Sequence, residues 1–182
     1  DRKCDESWKY QSATTEQQHL IKQLTKDFPD AVNSFEYQDY IKAQTKSTAS
    51  EFISRTIEEN LDLIGKKENY VGYIAMRPRV EKQGTHGLFS QTDRPIDLSA
   101  VSKEVAEHEG AVWTTIMSLR REDAQKLGYN NAKAWRDLLR GQANKLAKAM
   151  GIPLGDLRWY AAFHNEGNHP HIHLISYSAG KE

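Results

Sequence analysis

The chain has 182 residues, with 25 basic and 25 acidic side chains and a formal net charge of zero. That balance excludes recruitment of nucleic acid or membrane by an overall field, and a single cysteine, Cys4, excludes a disulfide framework or a multi-cysteine metal centre. The charge is uneven along the chain: residues 1–69 carry 10 Lys/Arg against 13 Asp/Glu, a net of −3, and residues 70–182 carry 15 against 12, a net of +3, so an anionic ligand is expected on the C-terminal part.

Residues 1–13 are polar and patternless and read as a frayed end. Thr14 or Thr15 caps a helix in which Leu20, Ile21, Leu24 and Phe28 recur at helical spacing until Pro29. Residues 30–46 suggest a short helix. Ser50 is expected to cap a stronger one through Phe52, Ile53, Ile57, Leu61 and Ile64, ending at Gly65. A further helix runs from Glu68 to about Met76, before Pro78, and residues 79–99 read as loop. Asp97 or Ser99 caps a helix holding Val101 and Val105 and closed by Gly110.

Ala111–Leu119 is β-branched, aromatic and uncharged, which predicts a strand. Arg120-Arg121-Glu122 opens a short helix to Gly128. Asn131 caps a long one with Trp135, Leu138, Leu139, Leu146 and Met150 as its apolar face, stopped by Gly151 and Pro153. Two strands follow, Leu157–His164 and His171–Ser178, joined by a Gly/Asn turn. The expected fold is α+β, a mainly antiparallel sheet covered by helices, with residues 1–69 as a helical appendage or insertion and 70–182 as the core.

Four of the seven histidines lie between His164 and His173. Alternation along a strand projects His171 and His173 to one face, with Ile172 on the other. Normal pairing of the hairpin puts His164 opposite the start of the second strand, so three imidazoles converge from adjacent strands. Three protein ligands with an open side mark a catalytic metal rather than a structural one, and imidazole suits several transition metals. Glu166 or Asn165 is placed to orient a ligand imidazole. His169 has the same parity, but Pro170 leaves its direction open.

The stretch Trp159-Tyr160-Ala161-Ala162-Phe163-His164, Glu166, His169-Pro170-His171-Ile172-His173 resembles the third motif of MobP-type conjugative relaxases, MobL-like proteins among them, within the HUH endonuclease superfamily. Glu166 stands where Asp is commoner in that family. Asn69-Tyr70-Val71-Gly72-Tyr73-Ile74-Ala75-Met76-Arg77 is similar to the family's first motif. Arg77–Glu81, His86–Ser90 and Ser118–Ala124 look MobL-like, and residues 14–64 look like that subfamily's helical insertion.

The resemblance implies an HUH-type relaxase fold and a single-strand DNA transesterase that nicks a transfer origin through a 5′-phosphotyrosine. It implies His164, His171 and His173 as ligands of a divalent ion, Mn or Mg in use, with Zn, Ni or Co possible in a crystal. Glu166 is then an orienting catalytic residue, and His169 a support of the site or a DNA contact. Tyr73 is the implied nucleophile, Tyr70 the reserve. The family's nucleophile follows a first strand, and none is visible before residue 14, so an attacking tyrosine upstream of residue 1 is the other reading. Arg77, Arg79, Arg120, Arg121 and Arg158 are candidate phosphate contacts.

Accessory mobilisation and coupling proteins are the further partners implied. The single cysteine and the lack of a signal peptide or a membrane span of roughly 20 apolar residues point to a cytoplasmic, bacterial protein. A start at Asp1 rather than Met is read as a piece of a longer protein. His169-x-His171-x-His173 also resembles a histidine-triad nucleotide hydrolase or transferase, in which a histidine attacks phosphate without metal. Another HUH enzyme, such as a rolling-circle replication initiator or a transposase, would share the chemistry. A non-enzymatic module of a DNA-transfer complex is the remaining alternative.

Overall fold

The computed structural model describes residues 7–60, 67–76, 80–165 and 169–180. The chain divides into two compact units, Asp1–Asn60 and Leu61–Glu182.

The first unit is helical. Helix α1 (Thr15–Asp27) starts with a capping box: Gln17 N–H donates to Thr14 Oγ1 at 3.1 Å, and Thr14 N–H to Gln17 Oε1 at 3.0 Å. Pro29 stops it and opens a 3₁₀ turn, Pro29–Asn33. Ser34 caps α2 (Phe35–Lys42). Helix α3 spans Lys46–Glu59 and is capped by Thr45, not Ser50. The Thr45 side chain and that of Thr48 bond reciprocally across the first turn, so the cap is set five residues earlier than hydrophobic spacing alone suggests. Gly65, expected to end this helix, lies outside the described residues.

Nor do residues 7–13 fray. Ser7–Tyr10 form a 3₁₀ turn, and Ser12 bridges Thr45, with Ala13 N–H to Gln44 O at 3.0 Å and Lys46 N–H to Gln11 O at 2.8 Å. The unit closes on Ala13, Ile21, Ala31, Tyr40, Ala49 and Phe52.

The second unit is an α+β layer structure. Its elements are α4 (Lys67–Met76), β1 (Phe89–Ser90), α5 (Leu98–Glu107), β2 (Val112–Ser118), α6 (Arg121–Leu127), α7 (Ala132–Met150), β3 (Leu157–His164) and β4 (His171–Ser178). The four strands form one antiparallel sheet in the order β1-β3-β4-β2. Edge strand β1, and a bridge from Val80 to His164, fall within the segment expected to be loop. Two ladder residues flanked by glycine and proline are too short to show period-two patterning. Asp97 is the cap of α5, accepting from Ala100 N–H, and the helix ends at Glu107 rather than at Gly110.

Alternation along the central strands sorts side chains to two faces. Leu157, Trp159, Ala161 and Phe163 of β3, with Ile172 and Leu174 of β4, pack against α7 through Trp135, Leu139, Ala143 and Ala147. Leu138, Leu146 and Met150 stay partly buried at the margin of this layer, because the alanines let the helix sit close on its small-residue side. The other face carries Ala162, Ile175 and Tyr177, covered by Val71, Ile74 and Ala75 of α4 and Val101 and Val105 of α5. His164, His171 and His173 share the parity of that second face. Among the described residues no helix is long and apolar enough to cross a membrane.

Candidate metal centre

The register pairs His164 with His171 directly, and Ala162 with His173. All three imidazoles are buried, with ring centroids 5.0 Å (164–171), 5.3 Å (164–173) and 5.8 Å (171–173) apart. Each offers a ring nitrogen within 4.8 Å of the others'.

Two backbone carbonyls set the tautomers. Helix α4 ends at Met76, so its last carbonyls have no partner inside the helix. His164 Nε2 donates to one of them, Ile74 O, at 2.9 Å, and Gly87 N–H satisfies the next, Ala75 O, at 2.8 Å. His171 Nδ1 donates to His169 O at 3.1 Å. A carbonyl only accepts, so those ring nitrogens carry the protons. The remaining pair, His164 Nδ1 and His171 Nε2, face each other at 3.2 Å. Two bare lone pairs at that distance repel, so the contact is relieved by a proton shared as an N–H···N hydrogen bond or by a metal cation. Tetrahedral ligands at about 2.05 Å from an ion stand about 3.3 Å apart, so the observed spacing fits a shared metal. The negative end of the α4 dipole at this spot favours a cation too.

The surrounding backbone locks this geometry. Val80 bridges His164, and Glu81 N–H donates to Phe163 O at 2.9 Å while Glu81 Oε2 accepts from Ala132 N–H at 3.0 Å. Gly87 lies against Val80: a Cβ there would overlap Val80 Cγ2 and stand 3.3 Å from Ala75 O. Gly87→Ala is therefore expected to destabilise the chain by about 1–3 kcal/mol and, by moving Val80, to weaken metal binding several-fold. Thermal melts with metal titration calorimetry check it, and an unchanged melting temperature would refute the crowding argument.

The other residues singled out in the sequence divide by position. Arg120 is the N-cap of α6, and Arg121 Nη1 donates to Asn165 Oδ1 at 2.6 Å, beside His164. Leu119 N–H reaches Pro170 O at 3.3 Å, so the ends of β2 and of the hairpin meet at the histidine end of the sheet. His169 is buried, and its carbonyl supports His171. Arg158 lies six residues down β3, about 20 Å from His164 at a strand rise of about 3.3 Å, with its guanidinium bonded to Gly155 O and Leu157 O. Tyr73 is on α4, one residue before the Ile74 carbonyl that holds His164; its side chain and that of Tyr70 lie outside the described residues, as do Arg77, Arg79 and Glu166. The carbonyls of Ile74 and His169 were not foreseen. A backbone acceptor has no residue-type signature, and only the helix stop ahead of Pro78 hinted at free carbonyls there.

An antiparallel sheet layered with helices, carrying His164 opposite the His171-Ile172-His173 run, is the arrangement of an HUH-type relaxase. The family model of MobL relaxases matches residues 2–181, and the chain belongs to that family. It is accordingly a relaxase, an enzyme of conjugative mobilisation, and relaxases bind single-stranded DNA at a transfer origin. Membership sets the chain apart from the histidine-triad hydrolases. No curated protein and no solved structure matches it.

Proposed function

We propose that this relaxase cleaves one DNA strand at a transfer origin by a divalent-metal-dependent transesterification, with His164, His171 and His173 as the metal ligands. The observation that carries this is the pair of facing ring nitrogens at 3.2 Å, with the other nitrogen of each ring turned to the carbonyls of Ile74 and His169. When bound, the cation supplies Lewis-acid polarisation of the scissile phosphate. His169 holds the His171 ring, and Glu166 is assigned to orient a ligand imidazole. The strand pair holds the histidines rigid, which keeps them in register through the reaction.

Tyr73 is the proposed nucleophile. Its phenolic oxygen attacks phosphorus, the P–O3′ bond breaks, the tyrosine proton passes to solvent, and the departing 3′ oxygen is protonated to a hydroxyl. The phosphodiester energy is conserved in the 5′-phosphotyrosine, so rejoining needs no nucleotide cofactor. Arg77, Arg79, Arg120 and Arg121 are proposed to hold phosphates near the scissile bond, with Arg158 contacting the strand about 20 Å down the sheet; accessory mobilisation and coupling proteins are the proposed further partners.

The test is a nicking assay on labelled single-stranded transfer-origin DNA. Chelator is expected to abolish cleavage and added Mn or Mg to restore it. Cleavage that persists after exhaustive chelation would rule out the metal reading.

A further inference from the structure

Beyond the histidine end, the edge of the sheet carries a second feature of a different kind. A basin of about 350 Å³ lies between the 83–96 segment and α7, lined by Gln83, His86, Asp93, Arg94, Arg136 and Arg140 among others. Three arginines face one aspartate there, a net of +2. Arg136 and Arg140 are one turn apart on α7, with side chains 23% and 21% exposed.

The groups divide into those that hold the loop and those that do not. His86 spends both ring nitrogens on the loop: Leu88 N–H donates to Nδ1 at 3.0 Å, and Nε2 donates to Ile96 O at 3.0 Å. Arg140 clasps the loop, donating to Ser90 O and Asp93 Oδ1, both at 2.9 Å. Arg136 differs. Its Nε is buried without a hydrogen-bond partner, and Asp137 Oδ1 stands off at 3.6 Å, itself bonded to Lys133 at 2.8 Å. Arg94 is exposed and, among the described residues, makes no hydrogen bond or ion pair. A buried guanidinium nitrogen without a partner is costly unless an anion completes it.

We infer that this basin, with the exposed Arg94 and with Arg136, whose ion pair to Asp137 is long at 3.6 Å, as its phosphate-binding cations, binds a backbone phosphate of the single strand away from the scissile position. The inference rests on the single-strand DNA reading above. Its placement suits that role. Phe89 pairs with Ala161, about 10 Å down β3 from His164, and α7 begins beside Phe163 through Glu81, so Arg136 and Arg140 step away from the histidine end by about 6 Å each along the helix. Guanidinium groups match phosphate in geometry, and no metal is involved.

The test uses the full chain, a labelled mixed-sequence 30-nucleotide single strand, and anisotropy titrations from 50 to 300 mM salt. Single-strand binding loses about 0.7 in log–log salt slope per phosphate contact. The double variant Arg94→Ala/Arg136→Ala is expected to lower the slope by about 0.7 or more and the affinity at 100 mM salt about tenfold. Metal affinity at the histidines should not change, which reports an intact fold, and Arg94→Lys/Arg136→Lys should recover most of the slope. An unchanged slope overturns the inference. So does a result in which inorganic phosphate raises the melting temperature of the parent alone while the DNA slope is unaffected, because the basin then takes a free anion. A chain with the expected slope difference that fails to cleave would lose the nicking reading and keep this site.

Discussion

His171→Ala is expected to weaken divalent-metal binding at least about 100-fold and to reduce strand cleavage to background. Loss of a residue that merely supports a ligand already costs about 10–100-fold, and His171 is proposed as a ligand itself. Its Nε2 faces His164 Nδ1 at 3.2 Å, and its Nδ1 is held by the His169 carbonyl, so the ring is fixed in one orientation with Nε2 turned toward the cluster. Without it, His164 and His173 remain on the same face, and two ligands do not make a tight site. Calorimetric titration with Mn reads the affinity, and a thermal melt without metal separates lost ligation from lost folding. His19→Ala, on the exposed side of α1, should bind as the parent does. Binding that survives His171→Ala at parental affinity would remove the three-histidine site.

The histidine half of this site was legible because strand alternation is strict. Once Leu157–His164 and His171–Ser178 are strands joined by a hairpin, the parity of His164, His171 and His173 follows with no tertiary information. The long helix and its stops were equally plain, since Asn131 and Gly151 act locally: Ala134 N–H bonds Asn131 Oδ1 at 2.9 Å, and Gly151 takes φ 68°. Features decided by distant partners were not legible. Strand β1 exists because β3 offers an open edge to two residues that have no pattern of their own. Thr45 outcompetes Ser50 as a cap through a hydroxyl pair with Thr48 in place of the usual Glu. Ala143 and Ala147 are core on α7, yet alanine carries little hydropathic signal. Arg136 and Arg140 become walls of a basin only through the fold of the 83–96 segment.

Tyr73→Phe is expected to abolish the covalent protein–DNA adduct while leaving metal affinity and single-strand affinity within about twofold of the parent, because it removes the proposed attacking oxygen and little else. The hydrogen bond from His164 to Ile74 O puts the last turn of α4 against the histidine cluster, and residue 73 is the next residue back along that turn. The rival tyrosines on the same sheet face fare worse. Tyr160 lies four residues along β3 from His164 and Tyr177 six along β4 from His171, about 13 and 20 Å away. Burial raises both phenols above their ordinary range, with Glu104 adding to each, so they resist forming the phenolate that attack requires. Tyr70 shares the helix and is one turn further from its C-terminus, so Tyr70→Phe should keep most of the adduct yield. Mass-spectrometric mapping of the adduct after incubation with the origin strand and Mn reads all of this. An adduct that persists undiminished in Tyr73→Phe would move the nucleophile to Tyr70 if Tyr70→Phe abolishes it, and to a tyrosine outside α4 if it does not.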